Sequence, residues 1–354
     1  MNYRYLMKKN TSLSLVILIL TFFSNIKAEI NNSNEQNLIT DKVLKWYSIP
    51  EESNKLIWKR FRKIQNNKNT LLKKTNKTNK KSKVTSYGRA ITFNSIDYPE
   101  ISSYVPNAYI QDDEKKITSS LRLISKTRHC NGKNFSNECA DGLLDLDFNI
   151  LKKKDYSLNT KVSFQSLTDR GTEFGDGISL GFKLAKEVNS QWSMAIGGEN
   201  IIHFDDTIDL GRNFYIVAST YRQIGDKSKE NPPVLFLNAG LGSDFYGYRG
   251  NGFLFRTPCL GNNTLTANAD SPNSCSWGPI GSVALSLNNR FSIINEWFGY
   301  GYGTGFSIRP FKDSSVSLSL FATDFINGFP KYAKEKCPNN TCKNRFYGTI
   351  SLTF

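Results

Sequence analysis

The sequence predicts an all-β chain: an antiparallel, up-and-down transmembrane β-barrel of about 12 strands, preceded by a partly disordered, partly helical N-terminal extension. Three observations predict it. The chain stops on RFYGTISLTF, where Phe346, Gly348, Ile350, Leu352 and Phe354 share one parity and Tyr347, Thr349, Ser351 and Thr353 the other. Such alternation is the period of a strand with one apolar face. From about Lys116 onward, many short runs of the same alternation are separated by turn-rich stretches. The first residues have the layout of an export signal.

Met1 to Ala28 carries a positive head (Arg4, Lys8, Lys9), an apolar run from Leu13 to Phe23 and a short polar stretch, so residues 1–28 are expected to be a Sec-type signal peptide. The run is short for a bilayer crossing, which needs ~20 residues, and this weighs against an uncleaved anchor. Ile26 is large for the third position before the cut. No later stretch is long and apolar enough for a membrane helix, and only a closed barrel would otherwise satisfy its backbone in lipid.

The formal net charge of +15 would ordinarily suggest nucleic acid or anionic lipid. It is confined: the signal region holds four Lys or Arg and Lys55 to Lys83 holds twelve, neither with an acid, and the remainder is close to neutral. A nucleic-acid partner is therefore not expected.

Residues 29–115 read as an Asn- and Lys-rich extension. Ser48 and Glu51 have capping-box spacing with Pro50 in the first turn, which starts a helix over about 50–65. Ile57, Phe61 and Ile64 share one face, and Lys55, Lys59, Arg60, Arg62 and Lys63 form the basic segment around the other. Such a helix can lie on an anionic surface, contact lipid phosphate or peptidoglycan, or enter a polar lumen as a plug. It can equally be a marginal helix in a solvated linker. Residues 66–83 are a Lys-rich linker expected to stay extended.

Residues 116–354 carry the strands. Leu144, Leu146 and Phe148 interleave with Asp145 and Asp147; Leu158, Val162 and Phe164 with Asn159, Lys161 and Ser163; Leu180, Phe182 and Leu184 with Gly181 and Lys183. Trp192, Met194 and Ile196, then Val283, Leu285 and Leu287, then Leu318 and Leu320 follow the rule, and weaker runs near 117–124, 212–222, 233–242, 290–298 and 304–311 complete the set. Connections alternate in length, short near 152–155, 184–191, 288–290 and 311–314 and long near 125–142, 243–279 and 323–344, as in barrels with turns on one side and loops on the other. The connection 223–232 is long for its short-turn side.

The six cysteines, Cys130, Cys139, Cys259, Cys275, Cys337 and Cys342, fall as one pair in each long loop and none in an expected strand. An even count in an exported chain reads as disulfides, and pairing within each loop is the simplest of 15 connectivities. Zinc is disfavoured by the spacing and by the presence of only two histidines.

The signal region, the alternating strands and the terminal FYGTISLTF together resemble the porin-like outer-membrane β-barrel proteins of Gram-negative-type envelopes. The segment YPEISSYVPNAY (Tyr98 to Tyr109) is similar to one preceding small barrels of cyanobacteria. The resemblance covers roughly two-thirds of the chain and implies outer-membrane lipid as surroundings and a periplasmic N-terminal extension over 29–115. It implies the barrel-assembly machinery as a partner that reads Phe346, Ile350, Leu352 and Phe354 as an assembly signal, and the trimeric state common among porins.

Asp145, Asp147, Lys161, Lys183 and Arg309 take the lumen-facing parity, with Glu199 beside them. Mixed charges can line a water-filled pore or pair across it and close it, and a barrel of ~12 strands is near the size at which either happens. No cofactor, metal or catalytic residue is expected, and the chain does not read as an enzyme. His203 beside Asp205 and Asp206 reads as a loop, and no G-x-S-x-G or P-loop spacing occurs. Three functional classes stay open: a channel for small polar solutes or ions, gated or plugged by the basic segment; a closed structural, adhesion or receptor barrel displaying three bridged loops; and, less favoured, a self-secreting barrel.

Overall fold

The computed structural model describes residues 83–126, 134–136, 139–165, 167, 177–204, 212–225, 231–243, 246, 254–258, 274–298, 301–311, 314–323 and 345–354. The signal region, the helix over 50–65, the basic segment and the Lys-rich linker up to residue 82 lie outside these residues, as do Cys130, Cys259, Cys337, Cys342, Asp205 and Asp206.

Two sheets form. The first is a small antiparallel meander of β1 (Val84–Tyr87), β2 (Ala90–Phe93) and β3 (Ile96–Glu100). Phe93 pairs with Ile96 across a two-residue turn, Asn94 and Ser95, both at positive φ (52° and 68°). That backbone matches the twist of a tight hairpin, and Asn is among the residues that tolerate it best.

The second sheet is the barrel. Its strands are β4 (Ile117–Ile124), β5 (Asp141–Lys152), β6 (Tyr156–Phe164), β7 (Ile178–Glu187), β8 (Trp192–His203), β9 (Asn213–Gln223), β10 (Val234–Ser243), β12 (Ser274–Asn288), β13 (Phe291–Phe298), β14 (Tyr302–Ile308), β15 (Ser317–Thr323) and β16 (Arg345–Thr353). Each pairs antiparallel with its chain neighbour, with β10 pairing β12, and β16 closes on β4 from Tyr347 opposite Ile124 to Thr353 opposite Thr118. The short β11 (Phe255–Pro258) pairs only with the start of β12. All 12 expected strands are present, and β1–β3 and β11 are additional. Cys275 departs from the expectation that no cysteine lies in a strand: it sits within β12, which β11 extends beyond the barrel rim.

The pleat sorts the side chains. Along β16, Arg345, Tyr347, Thr349, Ser351 and Thr353 are buried, while Phe346, Ile350, Leu352 and Phe354 are exposed. Outward leucines, isoleucines and valines such as Val283, Leu320 and Ile196 continue that band. Aromatics mark both of its edges. Trp192, Phe311 and Phe354 lie at the short-turn end, and Phe346, stacked with Phe135, and Phe255, stacked with Trp277, at the other. At ~3.4 Å per residue and the usual tilt of 35–45°, Phe346 to Phe354 spans about 20 Å along the barrel axis, close to the apolar height of membrane barrels.

The small sheet and the strand-free stretch that follows it, Ile101 to Gln111, lie inside the barrel. Val84, Ile91, Phe93, Tyr98, Ile101 and Tyr109 form one buried cluster with the inward-facing Tyr221, Val234, Phe236, Ala284, Ile294, Phe321 and Tyr347. The extension expected over 29–115 therefore contributes residues 84–112 to the lumen. The chain reaches β4 through Asp112 to Lys116 at the short-turn end, where Lys116 N–H donates to the Phe354 carbonyl at 2.9 Å.

Candidate functional site

The barrel's inner wall should present its inward parity to water, yet many of its polar groups are occupied by the lumen segment. Glu296, two residues beyond Ile294 on the inward face of β13, accepts backbone N–H groups from Ser103 (3.0 Å), Tyr104 (2.8 Å) and Val105 (3.4 Å). A carboxylate that accepts several N–H groups makes charge-assisted bonds, about twice as strong as neutral ones. Opposite it, Arg122 of β4 donates to the Ser103 carbonyl at 2.6 Å and lies over the Tyr104 ring at 4.5 Å.

Glu100 is the reciprocal anchor, a lumen-segment carboxylate gripped by the wall. Ser319 and Ser351 donate to its two oxygens, both at 2.6 Å, and its N–H donates to the Ser307 hydroxyl. Farther along, Ser219 accepts the Ala108 N–H at 2.7 Å and Ser157 accepts the Gln111 N–H at 3.0 Å. The inward serines thus satisfy backbone N–H groups of the segment that strand pairing leaves over.

The five residues expected to face the lumen are placed as follows. Arg309 donates to the Asp97 carbonyl at 2.6 Å and meets its carboxylate at 3.4 Å, and Lys115 also pairs with Asp97. Asp145 accepts from Ser163 at 2.6 Å and lies 3.7 Å from Arg89 of the lumen segment. Lys161 pairs with Glu199 at 2.5 Å, and Glu199 also accepts the Tyr246 hydroxyl at 2.7 Å. Among the described residues Lys183 reaches only neutral oxygens, those of Ser86, Asn107 and Tyr109, at 3.4 to 3.5 Å. Asp147 lines a cavity of about 70 Å³ together with Arg89, Asn159, Lys161, Lys183 and Glu199. Gly197 makes room beside it: a Cβ there would stand 2.3 Å from the Tyr215 hydroxyl.

Several titratable groups of the lumen segment are shifted, Tyr98 and Asp112 among them. Burial pushes the Tyr98 phenol up to about 12, and its hydroxyl donates to the Pro232 carbonyl at 2.9 Å. For Asp112, burial raises the carboxyl, but the Thr85 hydroxyl, the Glu114 N–H and the charge of Lys115 outweigh it and hold the group below its ordinary value.

Of the other expected residues, Cys139 and Cys275 are buried and neither is a free thiol. His203 ends β8. Among the described residues no group of three His, Cys, Asp or Glu is placed to hold a metal ion.

The lumen segment itself went unread in the sequence, as did Glu100, Arg122 and Glu296. Signals existed: Ile91 and Phe93 alternate into Asn94-Ser95 and out through Ile96 and Tyr98, a hairpin pattern. Glu296 and Arg122 are charges at inward parity, in runs too weakly alternating to show it.

No protein-family model and no curated protein matches this sequence. Among solved structures, an outer-membrane channel from Pseudomonas putida F1 is similar at 12% identity and a TM-score of 0.37, over 72% of this chain and 100% of that one. So distant a likeness adds nothing to what the barrel shows.

Proposed function

We propose that the protein is an outer-membrane channel for small polar solutes or ions, closed at rest by its own residues 84–112. The observation that carries this reading is that the barrel's ladder of strand pairs is complete without the lumen segment, whose three strands form a separate sheet. The segment can therefore shift without opening a sheet edge to lipid, and its polar anchors are side-chain bonds that re-form with water. The outward apolar band with aromatic edges supports a bilayer setting.

In this reading the N-terminus and the short turns are periplasmic, the long connections face outward, and each loop's cysteine pair is bridged. The terminal Phe346, Ile350, Leu352 and Phe354 are read by the barrel-assembly machinery before they face lipid. The basic segment around Lys55 to Lys63 contacts lipid phosphate or peptidoglycan, and assembly is as trimers.

A second reading is favoured by one observation, the apolar cluster that joins the segment to Phe236, Ile294, Phe321 and Tyr347. Packing of that kind suits a permanently closed barrel whose bridged loops engage a partner outside. Planar-bilayer conductance separates the two. The mature chain is expected to be mostly silent, and a version lacking residues 84–111 is expected to give steady current steps. A deletion variant that folds, by heat-dependent gel mobility, and stays silent would select the display barrel.

A further inference from the structure

The lumen segment is held differently on its two sides. Towards β9, β10, β12, β13, β15 and β16 it makes the apolar cluster. Towards β5–β8 it faces the cavity of about 70 Å³, and its apolar contacts with those strands are limited to the small Ala185 and Ala195, in a second cluster with Val105, Ala108 and Ile110. Roughly 10–15 Å³ of such space holds one water, so several fit.

The charges lining that cavity do not all pair. Lys161 is taken by Glu199 and Asp145 lies beside Arg89. Among the described residues Asp147 makes no hydrogen bond or ion pair and Lys183 has no carboxylate within salt-bridge distance. Asn159, 6% exposed, gives its amide N–H to Gln111 at 2.7 Å while its Oδ1 lacks a donor. A carboxylate with no partner among the described residues and an ammonium held only by neutral oxygens therefore line one wetted space, beside the orphaned amide oxygen of Asn159.

We propose that this β5–β8 side is the route by which solutes pass the plug, travelling between Asp147 and Lys183. The proposal rests on the channel reading above. Parting the apolar side exposes surface at about 25 cal/mol per Å². Widening the β5–β8 side parts mainly polar contacts, which water replaces, and its apolar contacts there are with the small Ala185 and Ala195. A solute there meets an acceptor, Asp147, and a donor, Lys183. Small dipolar solutes carrying both a donor and an acceptor satisfy both, whereas an ion of one sign is opposed by one of the charges.

The test places single cysteines in the full mature chain, Asn159→Cys and Lys183→Cys on this side and Ser319→Cys on the opposite wall. Folding is checked by gel mobility, and the unsubstituted protein gives the background. A small cationic thiosulfonate is expected to label position 159 or 183 about tenfold faster than 319, the ratio a ~1.4 kcal/mol difference gives, and to reduce the current. In parallel, Lys183→Glu is expected to move the reversal potential towards cations and Asp147→Asn towards anions. Current that persists unchanged after labelling at 159 and 183, or unchanged reversal potentials in both charge variants, overturns the route while the channel stands. A barrel that is silent in every form, the 84–111 deletion included, overturns the channel reading and the route with it.

Discussion

The two sides of the lumen segment solve the same problem, filling a wide polar barrel, by opposite means. On one side Phe93 and Tyr98 pack edge-on against Tyr221 and Phe236, with ring centroids 5.2 and 6.3 Å apart. On the other, Gln111 and Asn107 accept from Asn159 and Lys183 beside a cavity that Arg89 also lines, and apolar contact is limited to the small Ala185 and Ala195. The contrast teaches where adhesion and adaptability reside. Apolar contact is non-directional and is lost only by exposing area to water, whereas polar contacts with water at hand are exchanged at small net cost.

The largest effect is expected from the apolar side. Phe236→Ala removes a fully buried ring against Tyr98 and Tyr109. It should destabilise the folded barrel by about 3–5 kcal/mol, as buried Phe→Ala changes do, read by urea unfolding in lipid vesicles. A loss under about 1 kcal/mol would mean that the packing does not hold the segment.

A smaller effect is expected where a single polar group holds the backbone. Glu296→Gln keeps the shape but removes the charge and turns an amide NH₂ towards N–H donors, so docking of Ser103 to Val105 should weaken by ~1.5–3 kcal/mol. Its measure is the fraction of time the channel is open, expected to rise at least about tenfold, since 1.4 kcal/mol is a factor of 10. An unchanged open fraction would show that the apolar side alone sets closure.

Tyr98→Phe deletes one hydrogen bond to Pro232 while keeping the ring, and should cost only ~0.5–1.5 kcal/mol in the same unfolding experiment. A cost equal to that of Phe236→Ala would remove the distinction between adhesive rings and incidental polar tips.

The smallest expected effect is that of acid on Asp112. Its carboxyl titrates below its ordinary value in the folded chain, so the stability it contributes is present above the unfolded value of about 4 and is lost as pH falls through the folded one. Protection of the 84–112 segment from proteolysis should therefore weaken below about pH 4, and Asp112→Asn should flatten that part of the profile. An unaltered profile in the variant would assign the acid response to other carboxyls.

The wall of this protein was legible because alternation is a local property. Leu318 and Leu320 against Ser317 and Ser319, or Ile350 and Leu352 against Thr349 and Ser351, state their faces within a few residues. The same rule failed for the lumen segment because a buried plug obeys no lipid-and-water division. Val105, Ala108, Tyr109 and Ile110 lie almost consecutively in the chain and all are buried, for they are surrounded on every side. It failed for the site as well. Inward serines read alike whether they meet water or Glu100, and Glu296 shows its partners only when residues 103–105, nearly two hundred positions away, are brought beside it.

Sequence alone determined the antiparallel barrel, its strand number and the face each strand shows to the outside, since a period of two and the lengths of connections are written along the chain. Only the tertiary structure decided that residues 84–112 occupy the lumen, that Glu100 and Glu296 hold them, and that Asp147 and Lys183 are left without an ion pair among the described residues. Those outcomes depend on which distant side chains meet inside a closed wall, and closure, not local propensity, sets that meeting.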